Sequence, residues 1–206
     1  MWCDTEAPST DLSECDARMA DQGAQRVRTL VQLRRSLPSM TTHAGGIPEV
    51  QVRTFDPGHD VQGLLATNNA AFDWHPEQGR WDTERLERAL AQHWVDPAGI
   101  LVHDSEDPAL GDGHIDGFCW TRVHPADEPD IAAAGDPALG EIWVIATDPA
   151  VHGTRLGPAM VVAGLDHLAE RGLRVANLFT EEDNRAALSM YARLGFTVHQ
   201  RRGGYR

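Results

Sequence analysis

Lysine is absent from the 206 residues: all 18 basic residues are arginine, set against 31 Asp and Glu. All-arginine usage points to G+C-rich coding and carries no message about mechanism. The formal net charge of -13 argues against a general nucleic-acid binder, because a phosphate backbone is attracted by basic surface. A cationic partner fits better. Residues 104–148 hold eleven Asp or Glu and one basic residue, Arg122, so an amine-bearing acceptor would enter a negative field if this stretch lines a cleft. A merely solvated acidic loop would have the same composition. Cysteine is scarce as well. Cys3, Cys15 and Cys119 are too few and too scattered for a disulfide framework or a zinc site, and an odd count suits a reducing compartment; Cys119 reads as core packing. No apolar run approaches the roughly 18 residues of a membrane span, and the opening Met1-Trp2-Cys3-Asp4 has neither a basic n-region nor an apolar h-region. A soluble cytoplasmic protein without a membrane partner is expected. No period of about 20 to 50 residues repeats, which excludes a solenoid.

What is present is enough for one globular domain with a substantial core: 41% of residues are hydrophobic, over a length that exceeds a single average domain. Residues 1–25 are polar and acidic without sustained periodicity, and disorder or a frayed helix is expected there. From Arg26, Val27, Thr29, Val31 and Leu33 alternate with Arg28, Leu30, Gln32 and Arg34, a strand with one apolar face that extends to residue 37. A Pro/Gly/Ser/Thr linker follows over 38–48. A strand and then a linker suggest the tail of a preceding domain, with the main domain spanning 49–206. Within it the patterning gives strands at 50–54, 100–103, 115–123, 140–147, 175–180 and 197–201. Helices are expected at 60–71, 82–94 (capped by Asp82), 156–171 and 184–194. The order βααβββαβαβ is an α/β layout, a central mixed sheet with helices on both faces.

Two stretches carry the chemistry. In the first, the β-branched run Ile142–Ile145 stops at Asp148-Pro149, a short loop holds Gly153 and Gly157, and Val161, Leu165 and Leu168 begin a helical period. Strand, glycine loop and helix together present unpaired backbone N–H groups at the positive end of a helix dipole, where a pyrophosphate is held without dedicated side chains. Glycines between a strand and a helix also serve simply to make the turn. In the second, Asn184 is a good N-cap, Ala187, Met190, Tyr191 and Leu194 fall at helical spacing, and Gly195 sits where a left-handed C-cap belongs. Together these stretches resemble the Gcn5-related N-acetyltransferase (GNAT) superfamily, with its pyrophosphate loop after the fourth strand and its N-x-x-A-x-x-x-Y-x-x-L-G-F helix.

The resemblance implies acetyl-CoA as cosubstrate, with no metal. It puts the backbone of Ile145, Ala146 and Thr147 against the thioester and pantetheine arm. It puts the loop His152, Gly153, Thr154, Arg155, Leu156, Gly157 and Pro158 around the pyrophosphate, and Asn184, Arg185, Ala186, Ala187, Leu188 and Ser189 beside the cofactor. Tyr191 would protonate the departing thiolate; without the resemblance its ring reads as core packing. Further strings (Asn68-Asn-Ala-Ala-Phe72, His75-Pro-Glu-Gln-Gly79, Trp120-Thr-Arg-Val-His-Pro125, Gly140-Glu-Ile-Trp-Val144 and Leu178-Phe-Thr-Glu-Glu-Asp-Asn184) look like the C-terminal half of the mycothiol synthase family. Those enzymes have two tandem acetyltransferase domains and acetylate the cysteinyl amine of a cysteine-glucosamine-inositol conjugate. That likeness implies Glu141 as the base that takes the amine proton, Glu77, Arg122, Glu141 and Phe179 facing the acceptor, and a missing N-terminal half to which the strand at 26–37 would belong.

Three departures stand out. The loop has His152 and Arg155 where the superfamily has Gln or Arg and a glycine, so the Arg155 side chain either clashes or swings out to pair with phosphate. Phe179 stands where a tyrosine is usual, removing a hydroxyl. Set against that family, the chain is expected to lack the first of the two domains. An amine acetyltransferase and a catalytically impaired domain of the same fold therefore both remain open.

Overall fold

The structure is a computed structural model that describes residues 1–5, 11–38, 46–75, 78–107, 109–111 and 113–206. In chain order the elements are β1 (Trp2–Asp4), α1 (Ser13–Ala20), β2 (Arg26–Ser36), β3 (Arg53–Thr54), α2 (Val61–Ala71), α3 (Thr83–Leu90), β4 (Ile100–Asp104), β5 (Ile115–His124), α4 (Pro129–Ala134), β6 (Leu139–Thr147), α5 (Leu156–Glu170), β7 (Val175–Glu181), α6 (Arg185–Arg193) and β8 (Thr197–Tyr205). They divide into two compact units, one of residues 1–36 with 175–206 and one of residues 37–174. Among the described residues no helix is long and apolar enough to cross a membrane.

The first unit corrects two expectations. Residues 1–25 hold β1 and α1, where disorder or at most a frayed helix was expected: β1 pairs antiparallel with β8, and α1 buries Cys15 and Met19 against Cys3, Leu12, Ala24 and Tyr205. A disulfide joins Cys3 to Cys15. The cysteine count concealed it because a bridge between a strand and a helix requires only two side chains brought face to face, which spacing does not reveal. The strand at 26–36 is no detached remnant in this structure: β2 lies between β7 and β8 and pairs antiparallel with both. The domain boundary placed at residue 49 therefore cuts through a sheet. On α6 the Asn184 side chain accepts the Ala187 N–H at 3.1 Å, and Gly195 takes φ +82° after it, the two caps its sequence announces.

In the second unit β3, β4, β5 and β6 pair antiparallel in that order. Alternation along β5 sends Phe118 and Trp120 into a cluster with Leu64 and Leu65 of α2 and Leu86 of α3. Cys119 between them, like Ile142 of β6, faces α5, where a Cβ on Gly164 would lie 2.5 Å from Cys119 Sγ and 2.7 Å from Ile142 Cδ1. Helices thus cover both faces of these strands. Asp82 caps α3 by accepting the Arg85 N–H at 2.8 Å, but α3 stops at Leu90, so Trp94 reaches the core from a turn and not from the helix expected over 82–94. The six-residue α4 was not foreseen.

Candidate functional site

The β5–β6 pair is irregular where it matters. Trp120 is opposite Val144, while Thr121 is opposite Ile142, so Trp143 is an extra residue, a β-bulge. A strand with strict alternation would put Glu141 and Val144 on opposite faces. With the bulge, Ile142 faces α5 while Val144 and Ala146 join the cluster beneath α2 and α3. Trp143 closes on Trp94 at 4.9 Å, Trp120 at 4.8 Å and Trp81 at 6.5 Å between ring centroids, the tilted and edge-to-face separations that aromatic quadrupoles favour.

Beside this aromatic group lies a chain of charged side chains. Glu141 is 7% exposed and faces Arg122 across the register. Its Oε2 is 2.8 Å from Nε2 of His124, whose Nδ1 is 3.0 Å from Oε2 of Glu128. Glu128 Oε1 accepts from Arg122 Nη2 at 2.8 Å, and the Arg122 guanidinium lies 4.7 Å above the Trp94 ring. A carboxylate this deeply buried needs a partner to remain in place, and His124 is that partner. Among the described residues no hydrogen bond engages Glu141 Oε1. His124 and Glu128 escaped the sequence reading, although His124 stands in the Trp120–Pro125 string two residues after Arg122, on the same face of a strand.

Farther along β6, Ile145, Ala146 and Thr147 lead into Asp148, which accepts the Ala150 N–H at 2.8 Å and starts the loop. Gly153 has φ +87° and Arg155 φ +71°. Thr154 Oγ1 receives the Leu156 N–H at 3.3 Å, while among the described residues the N–H groups of Gly153, Arg155 and Gly157 meet no acceptor. They stand at the head of the 15-residue α5, next to His152 and Pro158. The Arg155 side chain turns away and donates from Nη1 to the Gly46 carbonyl at 2.7 Å.

Of the acceptor-side candidates, Glu77 lies outside the described residues. The segment around it is tied to α2: Asn68 donates to the Gln78 carbonyl at 2.8 Å, and Asn69 bonds both N–H and C=O of Trp81 at 2.7 and 2.8 Å. Phe179, in the first unit, lies 5.1 Å beneath the Arg202 guanidinium. In the same unit Tyr191 is 6% exposed with its ring 5.7 Å from Phe196, and Asn184, Arg185, Ala186, Ala187, Leu188 and Ser189 form the capped start of its helix. The structure thus brings Glu141 and Arg122 together, and assembles 145–147 and 152–158 on one strand, loop and helix.

Residues 68–196 match the acetyltransferase (GNAT) family model. The chain is 42% identical over 201 residues to a mycothiol acetyltransferase of Segniliparus rotundus, covering 97% of this chain and 69% of that protein. It is 44% identical over 177 residues to one of Acidimicrobium ferrooxidans, covering 85% and 53%. It therefore spans between about half and two thirds of the length of these relatives. Among solved structures, a GCN5-related N-acetyltransferase from Sphaerobacter thermophilus superposes with a TM-score of 0.65 at 22% identity, over 94% of this chain and 56% of that one. A tandem GNAT protein of the clavulanic acid pathway gives 0.61 at 18%, over 99% and 61%. The fold is the one they share.

Proposed function

The chain belongs to the acetyltransferase (GNAT) family and, within it, to the mycothiol acetyltransferases, and on that premise we propose that it transfers the acetyl group of acetyl-CoA to the cysteinyl amine of a cysteine-glucosamine-inositol conjugate. Such a transfer needs an unprotonated amine, polarisation of the acyl oxygen and a proton for the departing thiolate. Acetyl-CoA supplies the activated acyl group. Glu141 takes the proton of the incoming ammonium. Supporting this is the observation that carries the reading: a buried carboxylate with one oxygen held by His124 and the other without a hydrogen bond among the described residues.

The N–H groups of Gly153, Arg155 and Gly157, without an acceptor among the described residues, suit the pyrophosphate, since amides at a helix start carry the positive end of its dipole. Ile145, Ala146 and Thr147 offer backbone groups to the pantetheine arm, and residues 184–189 flank the cofactor. Tyr191 protonates the thiolate. Glu77, Arg122 and Phe179 face the acceptor, which has little apolar area and must be recognised by polar and charged groups. A cytoplasmic setting goes with this reading.

Calorimetric titration of acetyl-CoA, followed by release of CoA thiol in the presence of the cysteinyl-glucosamine-inositol acceptor, tests it. A saturable site and turnover are expected. Glu141→Gln should lower kcat/KM by about 10² to 10⁴-fold, the range of general acid–base groups, and most at low pH, where the amine is mostly protonated. Binding without turnover in the parent protein would instead favour a catalytically impaired domain.

A further inference from the structure

We propose that His124 is a positioning residue for Glu141, and that Glu128 sets the imidazole in turn. The inference rests on the acetyl-transfer reading above and concerns the same site. Glu141 sits at a break in strand alternation, one residue before the residues on either side of the Trp143 bulge turn to opposite faces. A side chain at such a break is not fixed by the pleat alone. Its carboxylate has four lone-pair sites in a plane that rotates about a broad torsion, so something else must select one orientation.

The selection comes from β5. His124 Nε2 stands 2.8 Å from Glu141 Oε2, and Nδ1 stands 3.0 Å from Glu128 Oε2. An imidazole held at both nitrogens can neither flip nor swing. Glu128 is fixed from its other oxygen by Arg122 at 2.8 Å, and Arg122 is stacked on Trp94. The chain of contacts therefore runs from the rigid tryptophan group through Arg122, Glu128 and His124 to Glu141. It holds Oε2 at His124 and leaves Oε1 for the amine proton. Supporting partners of this kind hold a reacting group within the tolerance that proton transfer demands.

The role separates from mere folding through three readouts. His124→Ala should lower kcat about 10²-fold, the scale of an ångström of misplacement, with KM for acetyl-CoA unchanged. His124→Gln, whose amide nitrogen reaches the place of Nε2, should recover most of that loss. Imidazole added to His124→Ala should restore part of it. Independently of turnover, the imidazole 1H–15N spectrum of the parent should show a His124 Nε2–H signal in slow exchange that shifts in Glu141→Gln. If His124→Ala turns over at the parental kcat, or if no such signal depends on Glu141, the proposal is overturned. If the parent acetylates no amine while the signal is present and shifts in Glu141→Gln, the pairing stands and the acetyl-transfer reading is what fails.

Discussion

Arg155 adopts φ +71°, a left-handed conformation that costs a residue with a Cβ roughly 1–2 kcal/mol. Of the two fates the sequence left open, clash or swing, the side chain swings, and its guanidinium settles on the Gly46 carbonyl. With the loop N–H groups lacking an acceptor among the described residues, Arg155→Gly should therefore bind acetyl-CoA as tightly as the parent or better, as read by calorimetry. A loss of about 1–3 kcal/mol would mean that the guanidinium leaves Gly46 for phosphate. Cys119 makes a second case at this scale. It is fully buried, and burial pushes its thiol up to about 12, while Cys3 and Cys15 are bonded to each other. Alkylation at pH 8 should leave the native protein unlabelled, and one thiol should appear on unfolding without reductant, because the thiolate is the reactive species. Labelling of the native protein would contradict both assignments.

Among the elements, β2 changes most between sequence and structure. Its alternation identifies a strand over Arg26–Ser36, but pairing with β7 and β8 on its two sides makes it interior, and Val31 and Leu33 are buried. Deleting residues 1–36 should consequently remove the cooperative unfolding of the unit that holds β7 and β8, seen as early loss of amide-exchange protection in 175–206, where a dispensable tail would leave that protection nearly unchanged. Helix α5 shows the converse, a feature that its own sequence hides. Gly164 reads as a mildly unfavourable helical residue, yet Cys119 and Ile142 occupy the space its side chain would take. Gly164→Val should destabilise by about 1–3 kcal/mol or more through overpacking, as measured by urea unfolding; a neutral effect would show that α5 can shift on its strands.

For the molecule as a whole, one acid-sensitive contribution to stability comes from Asp60. Asp60 is fully buried, and burial alone would oppose its charge. Arg53 at 2.5 and 2.8 Å, the Asp56 N–H at 2.7 Å and His59 at 2.8 Å outweigh that and hold the carboxyl well below the usual carboxylate range. A carboxyl whose folded value is depressed adds stability that is present above its unfolded value of 3.8 and is lost as pH falls below it. The stability gap between the parent and Asp60→Asn in urea should thus be wide at pH 6 and shrink below about pH 4; a gap independent of pH would refute the role of this ion pair. The sequence by itself determined which segments form most strands and helices, their caps at Asp82 and Asn184, and the strand, glycine loop and helix of the cofactor side, because periodicity and capping depend on neighbours within a few positions of the chain. Only the tertiary structure decided that β2 belongs inside a sheet, that Cys3 meets Cys15, that Trp143 bulges, and that Glu141 is held through His124 by Glu128 and Arg122. Each of these depends on which side chains meet across strands or between a strand and a helix, and pairing partners and register are set by packing between segments that local spacing does not record.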